Sequence, residues 1–109
     1  MSYSHSVVLI VPQQHKADAE AFGLSIGNSG AEYNVPLSTD GAEPATHYAL
    51  HAFASERFLD ELSGNGQGGQ EAFAALNAVM TISVRPSMTG HFGDVLAAEG
   101  LQRVIPLEA

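Results

Sequence analysis

The chain has 109 residues, 45% of them hydrophobic and 15% charged; 12 acidic against 4 basic side chains give a net charge of −8, and there is no cysteine. That length is one domain's worth, and the apolar share is enough for a packed core, which excludes an acidic disordered tail. The charge argues against a nucleic-acid binder, which needs a basic surface to displace counterions, and against docking on anionic lipid; the missing cysteines exclude disulfides, thiol catalysis and thiolate metal sites.

Met1 to Ser6 holds no Lys or Arg, unlike the start of a secretory signal. No apolar run approaches the roughly 20 residues of a spanning helix. A soluble protein, cytoplasmic during expression, is the expectation. Val7 to Val11 is a continuous, mostly β-branched run closed by Pro12. It reads as a central strand buried on both sides, with Ser4, His5 and Ser6 exposed before it. Gln13 to Ile26 reads as a helix whose apolar stripe is Ala19, Phe22, Gly23 and Ile26, ended by Gly27.

Glu32 to Ser38 alternates and reads as a strand. Pro36 cannot donate to a ladder, so an edge position or a bulge is expected. Thr39 to Pro44 is a turn built on Asp40-Gly41. Thr46 to Ser55 is a third strand, with Tyr48, Leu50, Ala52 and Ala54 on one face and His47, Ala49, His51 and Phe53 on the other. A short helix over Glu56–Leu62 follows, then a flexible glycine-rich loop at 64–69. Gln70 to Met80 is a further helix with Phe73, Leu76 and Met80 inward. Thr81 to Arg85 is a fourth strand stopped by Pro86. His91 to Glu99 is a last helix carrying Phe92, Val95 and Leu96, with Gly100 at its end. The order predicts a single α+β domain over 1–109: a ferredoxin-like two-layer sandwich, with a four-stranded antiparallel sheet, helices on one face and a C-terminal helix.

His5, His15, His47, His51 and His91 are the chemically interesting excess. His47 and His51 have the i, i+4 spacing of helical metal ligands, but on a strand four residues span about 13 Å, too far for one ion. His5 on the neighbouring strand is expected to approach His51 or Phe53, which still leaves two ligands, short of a zinc site. No metal or other cofactor is therefore expected. Ser38, Asp40, Thr46 and His47 cluster at the turn, where short polar side chains bond their own backbone; no nucleophile elbow is present. The glycines at 64–69 lack the Lys and Ser/Thr of a phosphate loop. Tyr33, Tyr48, Phe53 and Phe92 read first as core. If helices cover only one face of the sheet, the half-apolar face of His47, Ala49, His51 and Phe53 is left for a partner.

Three stretches are distinctive: Val7 to Pro12, Val35 to Tyr48, and Gly90-His91-Phe92 continued through Val95 to Leu101. They resemble a family of short proteins encoded in bacteriophage and prophage gene clusters, among the structural (tail) genes. The resemblance runs along most of the chain outside 64–69. It implies a virion-associated or assembly role and brings no catalytic residues. Two readings follow. One is a non-enzymatic interaction protein, homo-oligomeric or bound to a phage structural protein, whose contact residues include Asp40, His47, Tyr48, His51, Phe53 and His91. The other is a small-ligand- or metal-binding enzyme with His47 as base or ligand and His51 and Asp40 in support.

Overall fold

The computed structural model describes residues 5–25, 34–54, 76–86 and 90–105. Strand β1 (His5–Pro12) leads through a single 3-10 turn (Gln13–His15) into helix α1 (Lys16–Ser25). Strands β2 (Asn34–Ser38), β3 (His47–Ala54) and β4 (Thr81–Arg85) follow. Helix α2 (His91–Glu99) and a two-residue strand β5 (Gln102–Arg103) complete the order. The expected helix over 56–62, the 64–69 loop, and Phe73 with most of the helix over 70–80 lie outside the described residues.

The five strands form one antiparallel sheet in the order β4-β1-β3-β2-β5. An α+β architecture with an antiparallel sheet is therefore present, but with five strands where four were expected. The fifth has no apolar signature: Gln102 and Arg103 are exposed, and they pair with Ser38 and Leu37 through the backbone alone. Past β5 the Val104 N–H donates to the Pro36 carbonyl at 3.0 Å, and the Ile105 N–H reaches the Gly41 carbonyl of the turn at 2.9 Å. β2 is thus an inner strand only where β5 lies beside it, and Pro36 stands just outside that two-residue pairing.

Both faces of the sheet are covered. On one face Val7, Leu9, Val11, Tyr48, Leu50 and Ala52 pack with Ala19 and Phe22 of α1 and with Leu76. On the other, Val8, Ile10, Leu37 and Ala49 pack with Val95 and Leu96 of α2 and with Leu101. The C-terminal helix α2 covers the face of His47, Ala49, His51 and Phe53 that helices confined to one face would have left bare, because the chain leaves β4 at one edge and reaches β5 at the other. A nine-residue helix is about 13 Å long, and outer strands of a five-stranded sheet stand about 19 Å apart. With its flanking turns, α2 spans the sheet like a strap. Each fully buried aliphatic side chain beneath it contributes about 1.5–3 kcal/mol relative to exposure.

Residues Val7 to Val11 are all at most 3% exposed, as the continuous apolar run implied. Ser6, expected to be exposed, is completely buried. The α2 boundaries and the closure of the helix match the reading of Gly100. That residue has φ +70°, its N–H donates to Ala97 and the Leu101 N–H donates to Leu96. This pattern satisfies two terminal carbonyls and seats Leu101 against Leu96.

Candidate functional site

Strand alternation decides which side chains meet. Ser6 of β1 stands opposite Phe53 and Arg85, and Val8 stands opposite His51 and Ser83. Ser6, His51, Phe53 and Ser83 therefore share the α2 face, and α2 adds His91 and Phe92 at its start. Ser6 Oγ lies 2.7 Å from His51 Nε2 and 2.8 Å from His91 Nδ1. The other nitrogen of His91, Nε2, lies 2.9 Å from Ser83 Oγ. The result is an unbroken chain, His51–Ser6–His91–Ser83, running from a half-buried ring to a fully buried one.

With both rings neutral, the chain has two consistent proton orders. In one, Ser83 donates to His91, His91 to Ser6, and Ser6 to His51; in the other every donation is reversed. One added proton still leaves a donor–acceptor match at each link. With two, Ser6 accepts from N–H groups on both sides and its own hydrogen is left without an acceptor in the chain. Burial pushes the His51 ring below its ordinary basicity, helped by His91 and by the Arg103 guanidinium. Burial and then Arg85 lower His91, while Asp94 acts weakly the other way. Asp94 is itself paired with Arg85, whose Nη1 donates to Oδ2 at 2.8 Å.

Aromatic rings enclose the half-buried end. His51 stacks on Phe92 at 5.4 Å between centroids and 15° between planes, and is tilted against Phe53 at 4.6 Å. The Arg103 guanidinium lies 5.0 Å from the Phe92 ring centre, a cation–π distance.

The other candidates fall elsewhere. His47 sits at the β3 start, its Nδ1 2.9 Å from Thr46 Oγ1. It shares the α2 face with His51, one strand's reach away. Asp40 builds the turn: its Oδ1 accepts from the Ala42 N–H at 3.0 Å and from the Ser38 hydroxyl at 3.2 Å. Those two donors, the Ala42 N–H first, hold its carboxyl below the usual range. Tyr48 is buried on the opposite face, where its hydroxyl donates to Glu20 Oε2 at 3.0 Å and the Lys16 ammonium lies 4.9 Å from its ring. Burial, with Glu20, raises the phenol to about 12. His5 pairs in register with Ala54, so it is Ser6, rather than His5, that reaches His51. Sequence reading missed Ser6 and Ser83; alternation puts Ser6 on the face of Val8 and Ile10, but that Ser83 joins it follows only from the pairing of Val8 with Ser83.

Among the described residues no group of three or more His, Asp or Glu is placed to hold a metal ion. Nor is any described helix long and apolar enough to cross a membrane. At the far end of the sheet an open groove is lined by Pro36, Glu43, Pro44, Ala45 and Val104. Beside it in the chain, Ile105 is 71% exposed. No protein-family model, curated protein or solved structure matches this chain.

Proposed function

We propose that the chain is a non-enzymatic protein of ferredoxin-like topology that works through protein–protein contact, assembling with further copies of itself. The strand order β4-β1-β3-β2, with α1 between the first two strands of the chain, supports the topology. The observation that carries the function is where the reactive groups point. Ser6, His91 and Ser83 spend their polar atoms on one another and on His51 beneath α2. A serine that is wholly buried offers no nucleophile to a substrate.

Among the described residues the most exposed large hydrophobic is Ile105, at the β2–β5 end beside the groove of Pro36, Pro44, Ala45 and Val104; Val79 and Val84, towards β4, are about half as exposed. The contact surface is thus moved from the sheet face, which α2 occupies, to this end of the sheet. The resemblance to phage and prophage tail-region proteins implies a role in virion structure or assembly, where parts are built by symmetric repetition. The net charge of −8 keeps free subunits soluble. A pair of ligands at His47 and His51 is disfavoured by their separation of about 13 Å along a strand.

The test is the absolute mass in solution by light scattering on a sizing column, at low and high salt, for the parent and for Ile105→Asp. A defined oligomer that Ile105→Asp converts to a monomer is expected. A monomer at both salts overturns self-assembly, and an oligomer indifferent to Ile105→Asp overturns the placement of the contact.

A further inference from the structure

The His51–Ser6–His91–Ser83 chain joins three elements, β1, β3 and β4, to the start of the strap. Its centre, His91, sits where a helix crossing an apolar face ordinarily places an aliphatic side chain, and it is completely buried. A leucine there would hold α2 down at any pH. A histidine held between two hydroxyls does so best while the ring is neutral: an imidazolium keeps both hydrogen bonds but is a buried charge, and among the described residues no carboxylate bonds it.

The surrounding charges make this specific. From β4, the Arg85 guanidinium faces His91 and opposes a second positive charge. From α2 itself, Asp94 favours protonation, but its carboxylate is engaged by Arg85 at 2.8 Å. From β3, His51 stands 6.4 Å away, ring to ring, and from β5, Arg103 adds positive charge near His51. β1 brings the Ser6 hydroxyl and the apolar Val8 and Ile10; β2 brings Val35 and Leu37. Around the ring, then, stand the paired Arg85 and Asp94 and the second imidazole of His51, with no carboxylate bonded to His91 among the described residues.

We infer that His91 is a pH-sensitive latch: protonation releases α2 and β5 from the sheet and uncovers the face of Val8, Ile10, Leu37 and Ala49. This goes beyond the proposed contact at the β2–β5 end and does not depend on it. The geometry lets α2 leave without disturbing the rest. Its core is separate from the α1 core on the opposite face, and its C-terminal tether is a two-residue strand with two further backbone bonds.

The sign follows from linkage. A histidine less basic in the closed form than its ordinary 6.5 binds its proton more readily once released. Closure is therefore strongest above about pH 6.5 and weakens as the pH falls from there towards the lowered folded value. Each unit of that window changes the closed-to-open ratio tenfold.

The experiment is hydrogen exchange on the full chain between pH 8 and pH 5, expressed as protection factors so that intrinsic exchange cancels. Protection of the α2 and β5 amides is expected to fall about tenfold or more below pH 6.5, while β1 and α1 amides hold theirs. His91→Gln should flatten the α2 profile, whereas His47→Gln should leave the fall intact. A uniform fall across both cores, or an unchanged α2, overturns the latch. Should His91→Gln fail to fold, nuclear magnetic resonance titration of the parent decides: His91 must titrate below 6.5 together with the α2 amide shifts, and a ring titrating at 6.5 or above refutes the proposal.

Discussion

Ser6 carries more of this structure than its size suggests. Its one hydroxyl serves two imidazoles, with His51 Nε2 at 2.7 Å and His91 Nδ1 at 2.8 Å. Ser6→Ala removes almost no volume but leaves ring nitrogens with no partner at those positions, and an unsatisfied buried polar group costs about 1–3 kcal/mol. We expect a loss of that size in unfolding free energy, read as a lower urea midpoint with the slope unchanged. A loss below about 0.5 kcal/mol, the ordinary range for a surface change, would mean the hydroxyl bridges nothing of consequence. At this scale the sequence was only partly legible. The alternation that put His51 and Phe53 on one face was readable. That a serine at the head of an apolar run is buried was not, because burial there depends on α2 lying over it, 85 residues later in the chain.

Elements were legible in proportion to their apolar periodicity. The bounds of β4 and α2 were readable because alternation and the helical stripe are explicit in Ile82, Val84, Phe92, Val95 and Leu96. β5 carries no pattern and exists because the chain beyond α2 lies beside β2. Gly41 makes that approach possible. It has φ +76°, and a β-carbon there would stand 3.3 Å from the Arg103 carbonyl. Gly100 has φ +70° with open space around it. A left-handed conformation costs an ordinary residue about 1–2 kcal/mol. Gly100→Ala should therefore cost about 1 kcal/mol, and Gly41→Ala more, because crowding adds to strain. Equal losses in chemical denaturation would show that the β5 strand does not press on the turn.

For the whole molecule, titration should give a stability plateau with two shoulders. The phenol of Tyr48, raised to about 12 by burial and Glu20, is protonated in the fold at pH values where the unfolded chain begins to ionise. Its contribution is complete below about pH 10 and is lost as the pH rises towards 12. The two depressed histidines act in reverse, so stability also declines as the pH falls below about 6.5. Thermal midpoints measured from pH 5 to 11 should be flat between roughly 7 and 10. Tyr48→Phe should remove the alkaline decline in particular, and its persistence in that variant would assign it to other groups.

What the sequence determined by itself was the local code. Five consecutive apolar residues from Val7 require a strand with both faces covered, the stripe of α2 requires an apolar surface, and Asp40-Gly41 requires a turn. The first of these already argued against a bare sheet face, since a strand buried on both sides needs two layers over it. Only the tertiary structure decided which layer lies where. Periodicity says that a face is apolar but not what covers it, and polar groups such as Ser6, His91 and Ser83 leave no periodic mark. Their meeting depends on a helix crossing the sheet from edge to edge, a long-range arrangement fixed by where the strands before and after it are paired.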